Sequence, residues 1–172
     1  PGGMPPRACL AYSAVQQLYV LYNYKLIDSG FEAGLDSTAK LLTKESARIQ
    51  KLALKIAKKL NKKMPVIYAP ANMEAVAVRL RQQLNENSKV LAWHHVIPEM
   101  NHNELVGWRT KGKYAVVMLR NDNDYVRNAH RFDIAKGIIS EYTKTLIEVF
   151  SKGDSNMERS FYFIYLGDWI SY

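Results

Sequence analysis

An α/β fold organised on a parallel sheet is what this sequence predicts, and three observations predict it. Short apolar or β-branched runs recur at residues 65–69, 90–93, 113–120 and 145–150. Helical patterns of about ten or more residues separate most of them, which is the signature of βαβ units. Turn residues punctuate the joins, at Pro70-Ala71-Asn72, Asn121-Asp122-Asn123-Asp124 and Lys152-Gly153-Asp154.

The elements follow in order. Pro1-Gly2-Gly3-Met4-Pro5-Pro6-Arg7 is a rigid turn segment ending in an arginine. Residues 8–27 are apolar nearly all round (Leu10, Val15, Leu18, Leu21), so this helix is expected to be buried in a central layer or an interface. Arg7 would stand at its start, where anions are well received. Asp28-Ser29-Gly30-Phe31-Glu32 is a connector, and Asp36-Ser37 supplies cap residues for a long helix to about Lys62. Ile49, Leu52, Ala53, Ile56, Ala57 and Leu60 keep the spacing of one buried stripe. The helix from Asn72 closes near Glu86, a carboxylate between two amides. The 90–93 strand and a polar turn then present His102. The 113–120 strand has the most strongly β-branched centre, a helix runs to about Tyr142, and Ser155 opens the last, aromatic-rich helix. There is no internal repeat.

Length and composition bound the function. The 172 residues fit one domain with a proper core. No apolar run reaches the roughly 18 residues needed to cross a bilayer. A single cysteine, Cys9, expected inside the first helix, fits a reducing cytoplasm. The net charge of +8 and pI near 9.5 are concentrated in Lys40, Lys44, Lys51, Lys55, Lys58, Lys59, Lys62 and Lys63, which read as the solvated face of the long helix. Aromatic or arginine-rich recognition elements beside that face are missing, so nucleic acid is not the expected partner. An anionic small substrate is compatible with the charge.

The candidate chemistry lies at Glu86 and His102. One strand and one loop separate them, so a helix-end carboxylate and a loop histidine could meet at one edge of the sheet as an acid/base pair. His94 and His95 point to opposite faces of a strand end, and with Glu99 and His102 they form no metal-ligand spacing of a known type, so no metal is expected. His130 reads as a surface residue. Phe161, Tyr162, Phe163, Tyr165 and Trp169 read as core or interface.

Four segments carry a resemblance. Gln83-Leu84-Asn85-Glu86-Asn87-Ser88-Lys89 and Pro98-Glu99-Met100-Asn101-His102-Asn103-Glu104 resemble the C-terminal half of the bifunctional phosphoglucose/phosphomannose isomerases. The Pro1–Arg7 segment and Leu166-Gly167-Asp168-Trp169-Ile170-Ser171-Tyr172 resemble that family's segments at the two ends of the same domain. The resemblance implies a sugar-isomerase (SIS) fold, a three-layer sandwich with a mainly parallel sheet flanked by helices. It also implies a dimeric enzyme with two such domains, which interconverts aldose and ketose 6-phosphates without metal or cofactor. Glu86 then matches the base that moves a proton between C1 and C2. Arg7 matches the arginine that stabilises the enediolate. His102 matches the histidine that assists ring opening, supplied in the family to the neighbouring subunit's site. The chain is accordingly expected to be a piece of a longer polypeptide, without the family's first SIS domain and without the catalytic lysine that would follow Tyr172, so that these residues alone do not turn over substrate.

Two rival classes make different demands. A non-catalytic phosphosugar-sensing SIS module would not need Glu86 and His102 together. A nucleic-acid-binding protein using the lysine helix would bind with a steep salt dependence.

Overall fold

The computed structural model describes residues 3–172; Pro1 and Gly2 of the first motif lie outside the described residues. Four strands, β1 (Met64–Pro70), β2 (Trp93–Ile97), β3 (Tyr114–Arg120) and β4 (Leu146–Phe150), form one wholly parallel sheet in the order β2-β1-β3-β4. The central strands β1 and β3 are buried through almost their entire length, as continuous apolar strands covered on both faces must be.

Helices cover the two faces unequally. On one face lie α2 (Gly30–Leu60), α3 (Glu74–Glu86) and α5 (Asn156–Ser171). Their stripes, Ile49, Ala53 and Ile56 from α2, Val76, Leu80 and Leu84 from α3, and Tyr162, Phe163 and Leu166 from α5, close on Ile67, Val117 and Val149 of the sheet. On the other face, α4 (Val126–Ser140) buries Phe132, Ala135 and Ile139 against Val66, Tyr68, Val116 and Met118. The segment between β2 and β3 completes that layer with Met100 and Trp108. The predicted three-layer α/β arrangement is therefore the one observed.

Local chemistry explains where the elements differ from expectation. The long helix starts earlier than Asp36. Asp28 accepts the Gly30 N–H at 2.7 Å, and Phe31 is buried against Tyr19 and Tyr22, with ring centroids at 5.1 and 6.0 Å. That anchor nucleates the helix ahead of Asp36 and Ser37, which lie inside it. The second strand is shifted from 90–93 to Trp93–Ile97. Lys89 takes a left-handed conformation (φ 57°), the Val90 N–H donates to the Leu84 carbonyl, and Asn85 Nδ2 donates to the Val90 carbonyl. Val90 is thus spent on closing α3, and Leu91 is exposed. Pairing begins only where Trp93 comes level with Val66.

The all-round apolar helix, α1 (Leu10–Asn23), has no buried residue in this chain, so it does not occupy a central layer. Val20 is 52% and Tyr12 51% exposed. Cys9 sits before the helix and not within it, half-buried. The lysines of α2 lie on its solvated face, as expected, and Tyr162 and Phe163 of the aromatic helix enter the core. Among the described residues no helix is long and apolar enough to cross a membrane.

The last helix opens as the sequence predicts. Ser155 Oγ accepts the Glu158 N–H, and the Glu158 carboxylate accepts the N–H groups of Asp154 and Ser155 at 2.7 and 2.9 Å, a complete capping box. These backbone donors hold the Glu158 carboxyl below its ordinary value. A carboxyl depressed in the folded state stabilises above its unfolded pKa and loses that contribution as the pH falls through the folded value. Stability should therefore decline as the pH drops below about 4.5. Urea midpoints measured from pH 6 to 3 check this, and Glu158→Gln should flatten the slope. An unchanged slope in the variant would contradict the assignment.

Candidate active site

One face of α3 builds the centre of the site. Arg79, Gln83 and Glu86 follow each other at helical spacing, so they project along one ridge. The Arg79 guanidinium donates to the Arg7 carbonyl and to Asp168 Oδ2, both at 3.0 Å. Gln83 Nε2 donates to Asp168 Oδ1 at 2.7 Å and to the Arg7 carbonyl at 3.4 Å. Two side chains of one helix thereby tie the backbone of the N-terminal segment to α5. One turn further on, the Arg7 guanidinium reaches to 3.7 Å from Glu86 Oε1. Both partners are partly open to solvent, at 43% and 55% exposure, so the pair contributes little to stability. Its significance is positional: a carboxylate and a guanidinium are brought together at an accessible surface by hydrogen-bonded supports, of which Gln83 is buried.

The end of α3 is clamped from the opposite side. Asn87 Nδ2 donates to Ser171 Oγ at 2.9 Å, and Ser88 Oγ donates to the Ser171 carbonyl at 2.6 Å. Lys89 Nζ folds back onto the Glu86 carbonyl at 2.6 Å. Thus the first, second and last motif segments of the sequence converge on Glu86. Two clefts flank them. One, of 490 Å³, lies between α1 and α5 with Leu10, Arg79, Tyr165, Asp168 and Trp169 in its wall. The other, of 430 Å³, is lined by Lys58, Asn61, Lys62, Asn87, Ser88 and Tyr172.

His102 is elsewhere. It follows a 3-10 turn after β2, where its N–H donates to the Glu99 carbonyl at 3.0 Å, and it is exposed. Its segment packs on the α4 face of the sheet through Met100 and Trp108, whereas Glu86 ends a helix on the opposite face. The expected meeting of Glu86 and His102 at one sheet edge does not occur within a single chain. Sequence spacing established that the chain could reach; it did not settle the face. A parallel crossover carries α3 back to the start of the sheet, while the loop after β2 leaves from its carboxyl end.

Of the three predicted residues, then, Arg7 and Glu86 are brought together and His102 is held apart. Arg79, Gln83 and Asp168 were missed as supports. Their signal was available, since residues 79, 83 and 86 share one helical ridge and Asp168 lies in the last motif. His94 and His95 both lie within β2 on opposite faces. Burial, followed by the Arg81 charge, lowers the basicity of His94, whose Nδ1 is buried without a hydrogen-bond partner. His95 Nδ1 accepts the Val96 N–H at 2.8 Å. His130 is exposed, as expected. Among the described residues no group of three or more His, Cys, Asp or Glu side chains is placed to hold a metal ion.

The fold is that of a sugar-isomerase-type domain of the parallel α/β class. A glucose-6-phosphate isomerase-like protein from Thermus thermophilus superposes with a TM-score of 0.65 at 21% identity, covering 84% of this chain and 50% of that one. The chain belongs to the bacterial phospho-glucose isomerase C-terminal SIS domain family, whose sequence model matches residues 49–172. Similar proteins include the bifunctional phosphoglucose/phosphomannose isomerase of Caldicellulosiruptor bescii, 35% identical over 99% of this chain and 54% of that protein. The enzyme of the same name from Aquifex aeolicus is 30% identical over 99% of this chain and 52% of its own length. The chain thus spans about half the length of the curated relatives it matches.

Proposed function

We propose that this chain is the C-terminal SIS domain of a two-domain, cytoplasmic, homodimeric isomerase acting in glycolysis and gluconeogenesis. It interconverts glucose 6-phosphate or mannose 6-phosphate with fructose 6-phosphate through an enediolate. The observation that carries this reading is the 3.7 Å approach of Arg7 and Glu86, held by Arg79, Gln83 and Asp168.

The geometry suits the chemistry. Glu86 removes the proton from C2 of the open-chain aldose, leaving the electron pair to form the enediolate, and returns it to C1 while the C2 hydroxyl proton passes to O1, which leaves the ketone at C2. The carbonyl oxygen gains negative charge in that step, and the neighbouring Arg7 guanidinium is a fixed cation to receive it. An imidazole, titrating near neutrality, is suited to open the sugar ring by moving a proton between the ring oxygen and the anomeric hydroxyl. His102 lies on the other face of the sheet from Glu86, and the reading that it serves the neighbouring subunit's site rests on the resemblance to the isomerase family. The phosphate is assigned to the other SIS domain. In this domain the N-terminus of α5, at the carboxyl end of β4, is already filled by the chain's own Glu158 carboxylate.

A non-catalytic phosphosugar sensor would share the fold and the substrate class, but it has no use for a carboxylate buttressed beside an arginine. The test is made on the full-length protein. His102→Ala should slow turnover of ring-closed glucose 6-phosphate by about 10²-fold or more. An aldose 6-phosphate without its C4 and C5 hydroxyls cannot close a furanose or pyranose ring, and its turnover should stay within about threefold. Equal losses on the two substrates would remove His102 from ring opening. Wild-type protein that binds but does not isomerise either sugar would favour the sensor.

A further inference from the structure

On the α4 face of the sheet, one carboxylate oxygen gathers three aromatic residues. Tyr68, midway along β1, is fully buried, and its hydroxyl donates to Glu104 Oε1. The Trp108 indole N–H donates to that hydroxyl at 3.0 Å, and the Trp93 indole N–H donates to the same Glu104 oxygen at 3.0 Å. Tyr114 packs edge-on against both indoles, with ring centroids at 6.1 and 5.3 Å. Burial and the Glu104 carboxylate together push the Tyr68 hydroxyl far above its ordinary pKa, so it remains a proton donor.

The network fastens the segment that carries His102. Leaving β2, the chain is pinned first by Met100, which is wholly buried. Glu104 pins it next, gripped from β1 and β2 at once, and Trp108 pins it last through the same tyrosine hydroxyl. The exposed His102 sits between the first two of these points. An apolar plug would secure the segment equally well against loss of stability. Buried polar networks must be completely satisfied, and what they add is direction. Three hydrogen bonds to two acceptor oxygens, rooted in β1 through Tyr68 and in β2 through Trp93, fix the rotation of the loop as well as its height above the sheet.

We infer that Glu104, Tyr68, Trp93 and Trp108 are positioning residues for His102, holding its imidazole in the orientation that ring opening requires. This rests on the reading of His102 as the ring-opening group. The network's hydrogen bonds do not involve Glu86, which ends a helix on the opposite face of the sheet, so it acts on one step alone. A misplacement of about 1 Å in a catalytic group costs up to about 10²-fold.

The experiment uses the full-length protein and the same two sugars, ring-closed glucose 6-phosphate and the aldose 6-phosphate lacking its C4 and C5 hydroxyls. Tyr68→Phe keeps the ring and removes the hydroxyl. Glu104→Ala removes the acceptor at a partly exposed position, and Glu104→Gln restores an oxygen able to accept both bonds. Tyr68→Phe and Glu104→Ala should lower kcat on the ring-closed sugar by about ten- to a hundredfold. Both should leave the open-chain sugar within about twofold, and Glu104→Gln should recover most of the loss. Ser151→Ala breaks a buried hydrogen bond to Asn121, beyond the ends of β3 and β4, and should change neither ratio.

If His102→Ala is selective for the ring-closed sugar but Tyr68→Phe and Glu104→Ala are not, the inference is overturned and the role of His102 stands. If His102→Ala itself is unselective, the role of His102 falls and takes the inference with it. Should Tyr68→Phe fail to fold, the comparison of Glu104→Ala with Glu104→Gln decides.

Discussion

Glu86→Gln in the full-length protein should abolish exchange of the C2 proton of glucose 6-phosphate with solvent deuterium, by about 10²–10⁴-fold, while the protein stays folded. Glutamine keeps the size and polar shape of the side chain but cannot accept the proton. Glu86 is exposed at the end of α3 and makes no core contact, so the change should alter stability by no more than about 0.5 kcal/mol. The supports Arg79, Gln83 and Asp168 do not bond to its carboxylate and should remain in place. Substrate affinity should also survive, because the phosphate is assigned to the other domain. Retained exchange in a folded variant would mean that another residue is the base.

Arg120→Met should be strongly destabilising, although the residue lies away from the site. The Arg120 guanidinium is 9% exposed and donates to Asp133 at 2.7 Å, to Glu148 at 2.6 Å and to the Ala129 carbonyl at 3.2 Å. It also lies against the rings of Phe132 and Phe150, at 5.2 and 5.3 Å from their centroids. Burial alone would raise the Glu148 carboxyl, but hydrogen bonds from Lys136 and Arg120 outweigh it and keep the group below its ordinary value. Removing the arginine leaves Glu148 largely buried with Lys136 as its one remaining partner among the described residues, at a cost of about 3 kcal/mol. For a chain of this size the melting temperature should fall by about 6–12 °C. The double variant Arg120→Met, Glu148→Met should regain much of the loss, since an apolar pair can replace a buried ion pair. A single variant melting within about 2 °C of the parent would show that the pair is not worth this much.

The sheet was legible in the sequence because its central strands are apolar on both faces, as at residues 65–69 and 113–120, and only a covered parallel strand tolerates that pattern. Ser155 likewise announced the start of α5. The edge strand was not legible in register. Val90 and Leu91 are as apolar as Val96 and Ile97, and what separates them is the left-handed Lys89 and the carbonyl of Leu84, neither visible in a hydropathy pattern. The same limit applied to the site. The motif segments supplied Glu86 and Arg7, while the helical spacing that joins Arg79 and Gln83 to Glu86 was present in the sequence but points to a ridge only once Asp168 and the Arg7 carbonyl are placed beside it. Whether His102 shared their face depended on which side each connection crosses, and distance along the chain says nothing about that. The first helix shows a third kind of limit. Its apolar surface was plain, but among the described residues nothing covers Val20 or Tyr12.

The sheet that divides Glu86 from His102 has a consequence for how such an enzyme would behave on dilution. If the two groups serve one substrate, each molecule lends its histidine away and borrows another. Catalysis then inherits the mass-action law of assembly: below the dissociation constant, the fold, the carboxylate and the arginine all persist, yet ring opening goes unassisted. Sugars that are already open would still be processed by the lone subunit joined to its own first domain. Concentration would set which form of the substrate the protein can use, and the rate of spontaneous ring opening would become the ceiling on flux.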